Sequence, residues 1–314
     1  MDSATKELVV IGAGPSALAA AIYTTRENIP TTLYEKGVVG GLAAITDQID
    51  NYPGFAEGIA GMKLAHDLQA QAERFGTEIE YGEASALRRD GNEIETIIDG
   101  KPVRSKAVLI ATGSNYRKLG VPGEEELYGR GVHYCATCDG AFYRDRTLIV
   151  VGGGNSAVQE AIFLTRFSTH IDLLVRSKLR ASEVLQKELQ KYVDAGKITV
   201  HIGASTDEVL IKDGSFAGVK TTTNGVQTKL MADGLFVLIG LIPNTMFLDG
   251  SGVELDPQGH IVTDKRLATN IPGVFSSGDV RSGATMQIAS AVGEGASAAL
   301  AIREYLDEQA REVE

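Results

Sequence analysis

Two stretches of this chain repeat one plan. "ELVVIGAGPSALAAAIYTTREN" and "RTLIVVGGGNSAVQEAIFLTRF" each carry a β-branched apolar run, a Gly-x-Gly-x-x-Ala turn and an Ala-rich segment of helical periodicity. Each continues into a second short strand, "TTLYEK" in the first copy and "IDLLVRS" in the second. The order strand, tight turn, helix, strand is a βαβ unit, whose parallel strands require a crossover of this kind. Gly12 and Gly152 lie about 140 residues apart, so the chain is predicted to be α/β and to contain two such units.

The residue types in the turn suit a dinucleotide. Gly12 and Gly152 permit the sharp turn, Gly14 and Gly154 have no Cβ to keep a pyrophosphate from the backbone, and Ala17 and Ala157 let helix and strand pack closely. Pro15 and Ser16, and Asn155 and Ser156, complete the two candidate sites at helix starts, where the dipole favours an anion. The copies differ about 20 residues on. Glu35, which ends the first unit's second strand, suits ribose hydroxyls and would repel a 2′-phosphate, so this site is expected to hold FAD or NAD. The matching place in the second unit is Arg176, followed by Lys178 and Arg180, which suits the 2′-phosphate of NADPH. The plainer reading of "RSKLR" is a solvated helix start.

Two further turns follow buried strands. "AVLIATGS" closes on Ala111, Thr112 and Gly113, and "IPGVFSSGDV" closes on Gly278 and Asp279, with Asp279 suited to a hydroxylated cofactor tail. A long small-residue helix, "TMQIASAVGEGASAALAIREYL", is expected next, its N-terminus able to face charge on a reduced cofactor ring. The chain has 314 residues, enough for roughly two cores, and its 43% hydrophobic and 23% charged composition is that of an ordinary folded protein. A net charge of −11 with no basic block argues against a nucleic-acid partner. The first strand-like run begins near Leu8, leaving no room for a leader, and no apolar stretch reaches the ~18 residues of a membrane span, so a cytoplasmic protein is expected.

The only two cysteines lie in "VHYCATCDGAFY", as Cys135-Ala-Thr-Cys138-Asp139. Such a pair can be half a zinc site, a redox disulfide or two idle core residues. No second Cys-x-x-Cys and no His-x₃₋₅-His spacing among His66, His133, His170, His201 and His260 completes a zinc site, so no metal is expected.

In this order, Gly-x-Gly-x-x-Ala, Ala111-Thr112-Gly113, Cys135-Ala-Thr-Cys138-Asp139, Gly152 to Ala157 and Gly278-Asp279, the chain resembles the bacterial low-molecular-weight thioredoxin reductases over essentially its whole length. The resemblance implies a homodimeric flavoprotein with two Rossmann-like domains, the second inserted into the first: an FAD-binding domain of residues 1–116 and 246–314, and an NAD(P)H-binding domain of residues 117–245 that carries a redox disulfide and rotates about its two connections. It also implies that Asn51 and Gln287 lie beside the flavin, that Cys138 is the flavin-side sulfur, that Cys135 is the interchange thiol, and that Asp139 is the acid of the exchange. Asp139 could instead only cap the following turn. Thioredoxin or a thioredoxin-like protein would be the partner. The chain departs from the family in having Leu42 after Gly40-Gly41, in having Met286-Gln287-Ile288 near the flavin, and in "VRSKLRA", where Val175 and Ser177 replace basic residues. The last departure keeps NADH, or a donor such as ferredoxin, open. A dithiol oxidase and a flavin redox sensor without turnover also stay open.

A dithiol, a flavin and a nicotinamide each exchange two electrons, so the three form one relay from NAD(P)H through FAD to Cys135 and Cys138.

Overall fold

The computed structural model describes residues 5–46 and 48–313. Residues 1–4, on which the reading of the N-terminal stretch partly rests, lie outside the described residues. The chain folds as two compact units, one of Met1–Asn115 with Ile242–Glu314 and one of Tyr116–Leu241. Among the described residues no helix is long and apolar enough to cross a membrane.

The first unit begins with β1 (Lys6–Ile11), α1 (Pro15–Arg26), β2 (Thr31–Glu35), the short α2 (Gly41–Ala44), α3 (Gly61–Arg74) and β3 (Glu78–Tyr81). It continues through β4 (Ala84–Asp90), β5 (Glu93–Ile98), β6 (Lys101–Ile110) and β7 (Ser114–Tyr116). The first three parallel strands and β6 stand in the order β3-β2-β1-β6. Leu8, Val9 and Val10 are fully buried because β1 is covered on both faces, as its unbroken apolar run requires. Leu8 and Val10 enter one core with Leu18 of α1 and Leu64 of α3, while Val9 and Ile11 enter a second with Leu87 and Ile94.

The second unit repeats this order. It contains β8 (Val132–His133), α4 (Ala136–Asp139), β9 (Thr147–Val151), α5 (Asn155–Leu164), β10 (His170–Val175), α6 (Glu183–Asp194) and β11 (Ile198–Ile202). Three antiparallel strands follow, β12 (Ala204–Lys212), β13 (Ser215–Thr223) and β14 (Val226–Met231), before β15 (Gly234–Val237) returns to the parallel sheet. That sheet has the order β11-β10-β9-β15-β8. Alternate residues of β9 again serve two cores, Leu148 and Val150 on one face and Ile149 and Val151 on the other. The duplication therefore extends beyond the two glycine turns. Each unit is a parallel sheet interrupted by antiparallel strands, β4 and β5 leading into β6 in one case and β12 to β14 preceding β15 in the other. β10 ends at Val175, so Arg176 and Ser177 of "IDLLVRS" lie outside it, and Lys36 likewise lies outside β2.

The chain returns to the first unit through β16 (Leu241–Pro243), which pairs with β7. β17 (Val274–Ser276) then lies parallel to the C-terminal half of β6, with Val274 opposite Val108. α7 (Ile288–Val313) closes the unit against α1. This helix begins later than its small-residue run suggests: Thr285, Met286 and Gln287 precede it, and Met286 has φ +58°, a left-handed conformation that turns the chain rather than continuing a helix.

The α1–α7 contact depends on missing side chains. A Cβ at Gly295 would stand 2.1 Å from the carbonyl oxygen of Ser16, whereas one at Gly293 would meet nothing within 4 Å. Gly295→Ala is therefore expected to destabilise the protein by about 1–3 kcal/mol in equilibrium unfolding, overpacking outweighing the ~1 kcal/mol gain in helix propensity. Gly293→Ala, with the same propensity gain and no clash, should be neutral or stabilising in the same measurement.

Candidate active site

The first glycine turn is shaped by its neighbours. Gly12 has φ +101°, and a Cβ there would lie 2.6 Å from the Ala111 carbonyl oxygen, so only glycine fits between β1 and the end of β6. At Gly14, by contrast, a Cβ would meet nothing within 4 Å, so the turn has an open face. Pro15 opens α1, and no side chain caps that helix, which leaves its first N–H groups available to an anion. Ala17 is fully buried, and Ser16 shares a 2.7 Å hydrogen bond with Ser277 beyond β17.

Other sequence candidates converge on this turn. Glu35 accepts hydrogen bonds from Ala13 N at 2.8 Å and Gly37 N at 2.7 Å, so its carboxylate braces the loop that it follows in sequence. Each oxygen keeps further acceptor capacity for a hydroxyl. Gly41 lies beside Gly14, its Cβ position 3.8 Å from the Gly14 Cα, and half-buried Leu42 follows it in α2. Gly278 packs on Ser16, where a Cβ would come within 3.1 Å of the serine Cβ. Thr112 is locked to Asn244: its hydroxyl donates to the Asn244 carbonyl and its own carbonyl accepts from Asn244 Nδ2, both at 2.8 Å. Gly113, with φ +65°, accepts from Asn244 N at 3.0 Å, and Ser114 Oγ donates to the Asp279 carbonyl at 2.7 Å. Asn51 Nδ2 donates to Gln287 Oε1 at 3.2 Å, joining two residues 236 positions apart immediately before Ile288 starts α7.

Asp279 is a carboxyl in this unit whose titration is shifted upward. Burial first, and then the negative charge of Glu294, push its carboxyl up to about 6, against a smaller opposing effect of His260. Glu294 accepts from Gly278 N at 2.9 Å and pairs with Arg281. Asn244, Arg281 and Glu294 were not singled out from the sequence, where nothing periodic or motif-like marks them, and Ser277 was read only as part of the turn before Gly278.

The second unit shows the same construction. A Cβ at Gly152, with φ +150°, would stand 2.3 Å from the Leu238 carbonyl oxygen and 2.6 Å from the Ala157 Cβ, while one at Gly154 would meet nothing. α5 likewise begins without a side-chain cap, with Asn155 and Ser156 in its first turn. The Asn155 side-chain oxygen accepts from Ser182 N at 2.8 Å and so ties this turn to the start of α6. Gly153 O accepts from Arg180 N at 2.6 Å and Ala181 N at 3.1 Å. The "RSKLRA" loop therefore folds back onto the glycine turn, and Arg176, Lys178 and Arg180 extend from it exposed. Among the described residues none of these three cations has an ion-pair or hydrogen-bonding side-chain partner.

Cys135 and Cys138 form a disulfide, both half-buried. Cys135 precedes α4, and its Sγ accepts from Cys138 N at 3.2 Å, which places a backbone donor on the sulfur. Ala136 N donates to Glu160 Oε2 at 3.0 Å, and burial raises the Glu160 carboxyl above its ordinary range while this hydrogen bond opposes the rise. Asp139 ends α4 and does not cap the turn that follows it. Its Oδ2 lies 3.3 Å from His133 Nδ1, and His133 Nε2 lies 2.6 Å from the Tyr143 hydroxyl. The sequence showed His133 only as a histidine without a zinc partner.

Comparison with known proteins agrees with this geometry. The family model for pyridine nucleotide-disulphide oxidoreductases matches residues 6–295. A thioredoxin reductase of Listeria monocytogenes is 41% identical over 307 residues, covering 96% of this chain and 94% of the relative, and one of Bacillus subtilis is 39% identical over 306 residues, covering 96% and 95%. The crystal structure of a thioredoxin reductase from Streptococcus pyogenes superposes with a TM-score of 0.90 at 37% identity, covering 97% of this chain and 99% of that one. With both glycine turns and the cysteine pair inside the matched span, the chain belongs to the pyridine nucleotide-disulphide oxidoreductase family.

Proposed function

We propose that this chain is a thioredoxin-disulfide reductase that passes electrons from NADPH through FAD and the Cys135–Cys138 disulfide to oxidised thioredoxin or a thioredoxin-like protein. The observation that carries the reading is the disulfide itself, set just ahead of a dinucleotide turn in a chain that has a second such turn in its other unit. Membership of the family implies a flavin and a pyridine nucleotide. FAD at the first turn is supported by the open face at Gly14, the uncapped α1 and the carboxylate of Glu35. NADPH at the second is supported by the open face at Gly154 and by three cations, unpaired among the described residues, on a loop hydrogen-bonded to Gly153. The resemblance adds a homodimer in the cytoplasm.

When bound, the two cofactors supply an electron pair as hydride. Gly12, Gly14, Pro15, Ser16, Ala17, Glu35, Gly41, Leu42, Asn51, Ala111, Thr112, Gly113, Gly278, Asp279, Met286, Gln287 and Ile288 hold the flavin nucleotide. Gly152, Gly154, Asn155, Ser156, Ala157, Arg176 and Arg180 hold the donor. The disulfide opens to two thiols, and Cys135 attacks the partner disulfide, with Cys138 N–H already directed at its sulfur to favour the thiolate. Cys138 then resolves the mixed disulfide, and Asp139 carries the proton exchanged with the thiols.

Three outcomes test the reading. Cys135→Ser and Cys138→Ser should each keep the yellow flavin colour and lose NADPH-driven thioredoxin reduction by more than about a hundredfold, because a lone thiol cannot complete a two-electron exchange. Undiminished turnover in either variant would exclude the mechanism. Arg176→Ala with Arg180→Ala should raise KM for NADPH roughly tenfold or more, at ~1.5–3 kcal/mol per charged hydrogen bond, while KM for NADH stays level. Equal effects on both donors would contradict the assignment of the 2′-phosphate.

The third concerns Asp279 in flavin-free protein. Its folded-state value of about 6 lies above the unfolded value near 3.9, so the native state binds the proton more tightly and stability is lost as pH rises through that window. Asp279→Asn should therefore stabilise the apoprotein by a few kcal/mol above about pH 6 and by little at about pH 4, as read from denaturant unfolding at the two pH values.

A further inference from the structure

His133 is a buried imidazole in contact with the carboxylate next to the redox disulfide, and nothing in the proposed exchange yet uses it. It ends β8, just ahead of the cysteine pair, with its side chain only 6% exposed. The Phe236 ring stacks on it at 5.2 Å and the Tyr143 ring meets it edge-on at 5.3 Å, so the imidazole has no freedom to turn. Tyr143 is admitted by a missing side chain, since a Cβ at Gly234 would stand 2.5 Å from its ring. The two ring nitrogens then face two polar atoms: Nδ1 lies 3.3 Å from Asp139 Oδ2 and Nε2 lies 2.6 Å from the Tyr143 hydroxyl.

We infer that His133 is a positioning residue for the thiol exchange, its ring held through Nε2 by the Tyr143 hydroxyl so that Nδ1 rests in electrostatic contact with the Asp139 carboxylate. This inference rests on the thioredoxin-disulfide reductase reading and on the role of Asp139 within it. The direction of the hydrogen bonds follows from the surroundings. Nδ1 faces the Asp139 carboxylate, which only accepts, so the hydrogen between the two rings runs from the Tyr143 hydroxyl, kept protonated by burial and by the charges of Asp139 and Asp233, to Nε2. With Nε2 accepting, a neutral imidazole carries its hydrogen on Nδ1, the nitrogen that faces the carboxylate. The other ionisable groups around this network are Tyr128, itself pushed up by burial and by Asp139, Asp233 with Arg146 near Tyr143, and Glu160 beside Ala136.

The consequence is mechanical. One oxygen of Asp139 rests 3.3 Å from the nitrogen of a ring that is packed on two sides, which leaves the other to give and take the thiol proton in one geometry. A carboxylate released from that contact samples several rotamers, and an acid or base displaced by about 1 Å can cost up to a hundredfold in rate.

The experiment compares NADPH-driven thioredoxin reduction with ferricyanide reduction in the same preparations, because ferricyanide takes electrons from the flavin without the disulfide. In His133→Ala the ratio of thioredoxin to ferricyanide turnover should fall about tenfold, with the loss in kcat and KM for thioredoxin within about twofold. His133→Asn, whose amide nitrogen can occupy the place of Nδ1, should recover most of the ratio, and Tyr143→Phe should lower it less than His133→Ala does. A ratio in His133→Ala within about twofold of the parent overturns the inference, as does an Asn variant no better than Ala, which would reduce His133 to a packing residue. Failure of the parent to reduce thioredoxin while it reduces ferricyanide would overturn the function reading instead. Should the Ala variant not fold, His133→Leu, which fills much of the same volume without a ring nitrogen, takes its place with the same two thresholds.

Discussion

In each unit a carbonyl oxygen at the end of a neighbouring parallel strand presses against the first glycine of the turn: Ala111 O against Gly12 and Leu238 O against Gly152. A side chain of any size there would part the two strands, open the sheet at its centre and withdraw the helix start from the strand ends. The rest of each unit depends on that fit. It sets α1 and α5 with uncapped N–H groups beside an open glycine, and it brings the following strand turn, Ala111 to Gly113 in one case and Leu238 onward in the other, to the same edge. Crevices at the carboxyl ends of parallel strands, where the strand order reverses, are where α/β sheets bind their ligands.

The parts of this arrangement carried by local sequence were legible from it. Strand, turn and helix follow one another within about twenty residues, and their signals, apolar runs, glycine spacing and alanine periodicity, act over that range. The antiparallel excursions, the return of β17 to β6 and the late start of α7 were less legible, because pairing partners and a left-handed Met286 depend on contacts made far along the chain. The same divide runs through the site. Gly12, Glu35 and the cysteine pair stand in motifs. Asn244 on Thr112, Arg281 with Glu294, and Ser277 on Ser16 are single polar residues whose partners are supplied by folding, and a sequence holds no spacing from which to read them. His133 lies six residues from Asp139, a separation with no regular meaning until β8 and α4 are both in place.

Polar groups near the disulfide are organised differently from those in the glycine turns. In the turns, no side chain caps the backbone N–H groups at the helix starts, and among the described residues the cations of the second loop have no side-chain partner, an arrangement that favours an anion. Around Cys135 and Cys138 the side chains are already engaged: Glu160 on Ala136 N, His133 on Asp139, Tyr143 on His133. That engagement suits a site whose reagent is built into the chain and whose geometry must be the same at every turnover.

The loop from Arg176 to Ala181 is held by its backbone, through Arg180 N and Ala181 N on Gly153 O, while its charged side chains are exposed. Its conformation and its chemistry are therefore separable. Exchanges among exposed side chains usually change stability by no more than about ±0.5 kcal/mol, so the charges that this loop presents beside the second glycine turn can be rewritten by a few surface substitutions at almost no cost to folding. The surface beside that turn can thus diverge while the buried frame and the disulfide stay as they are.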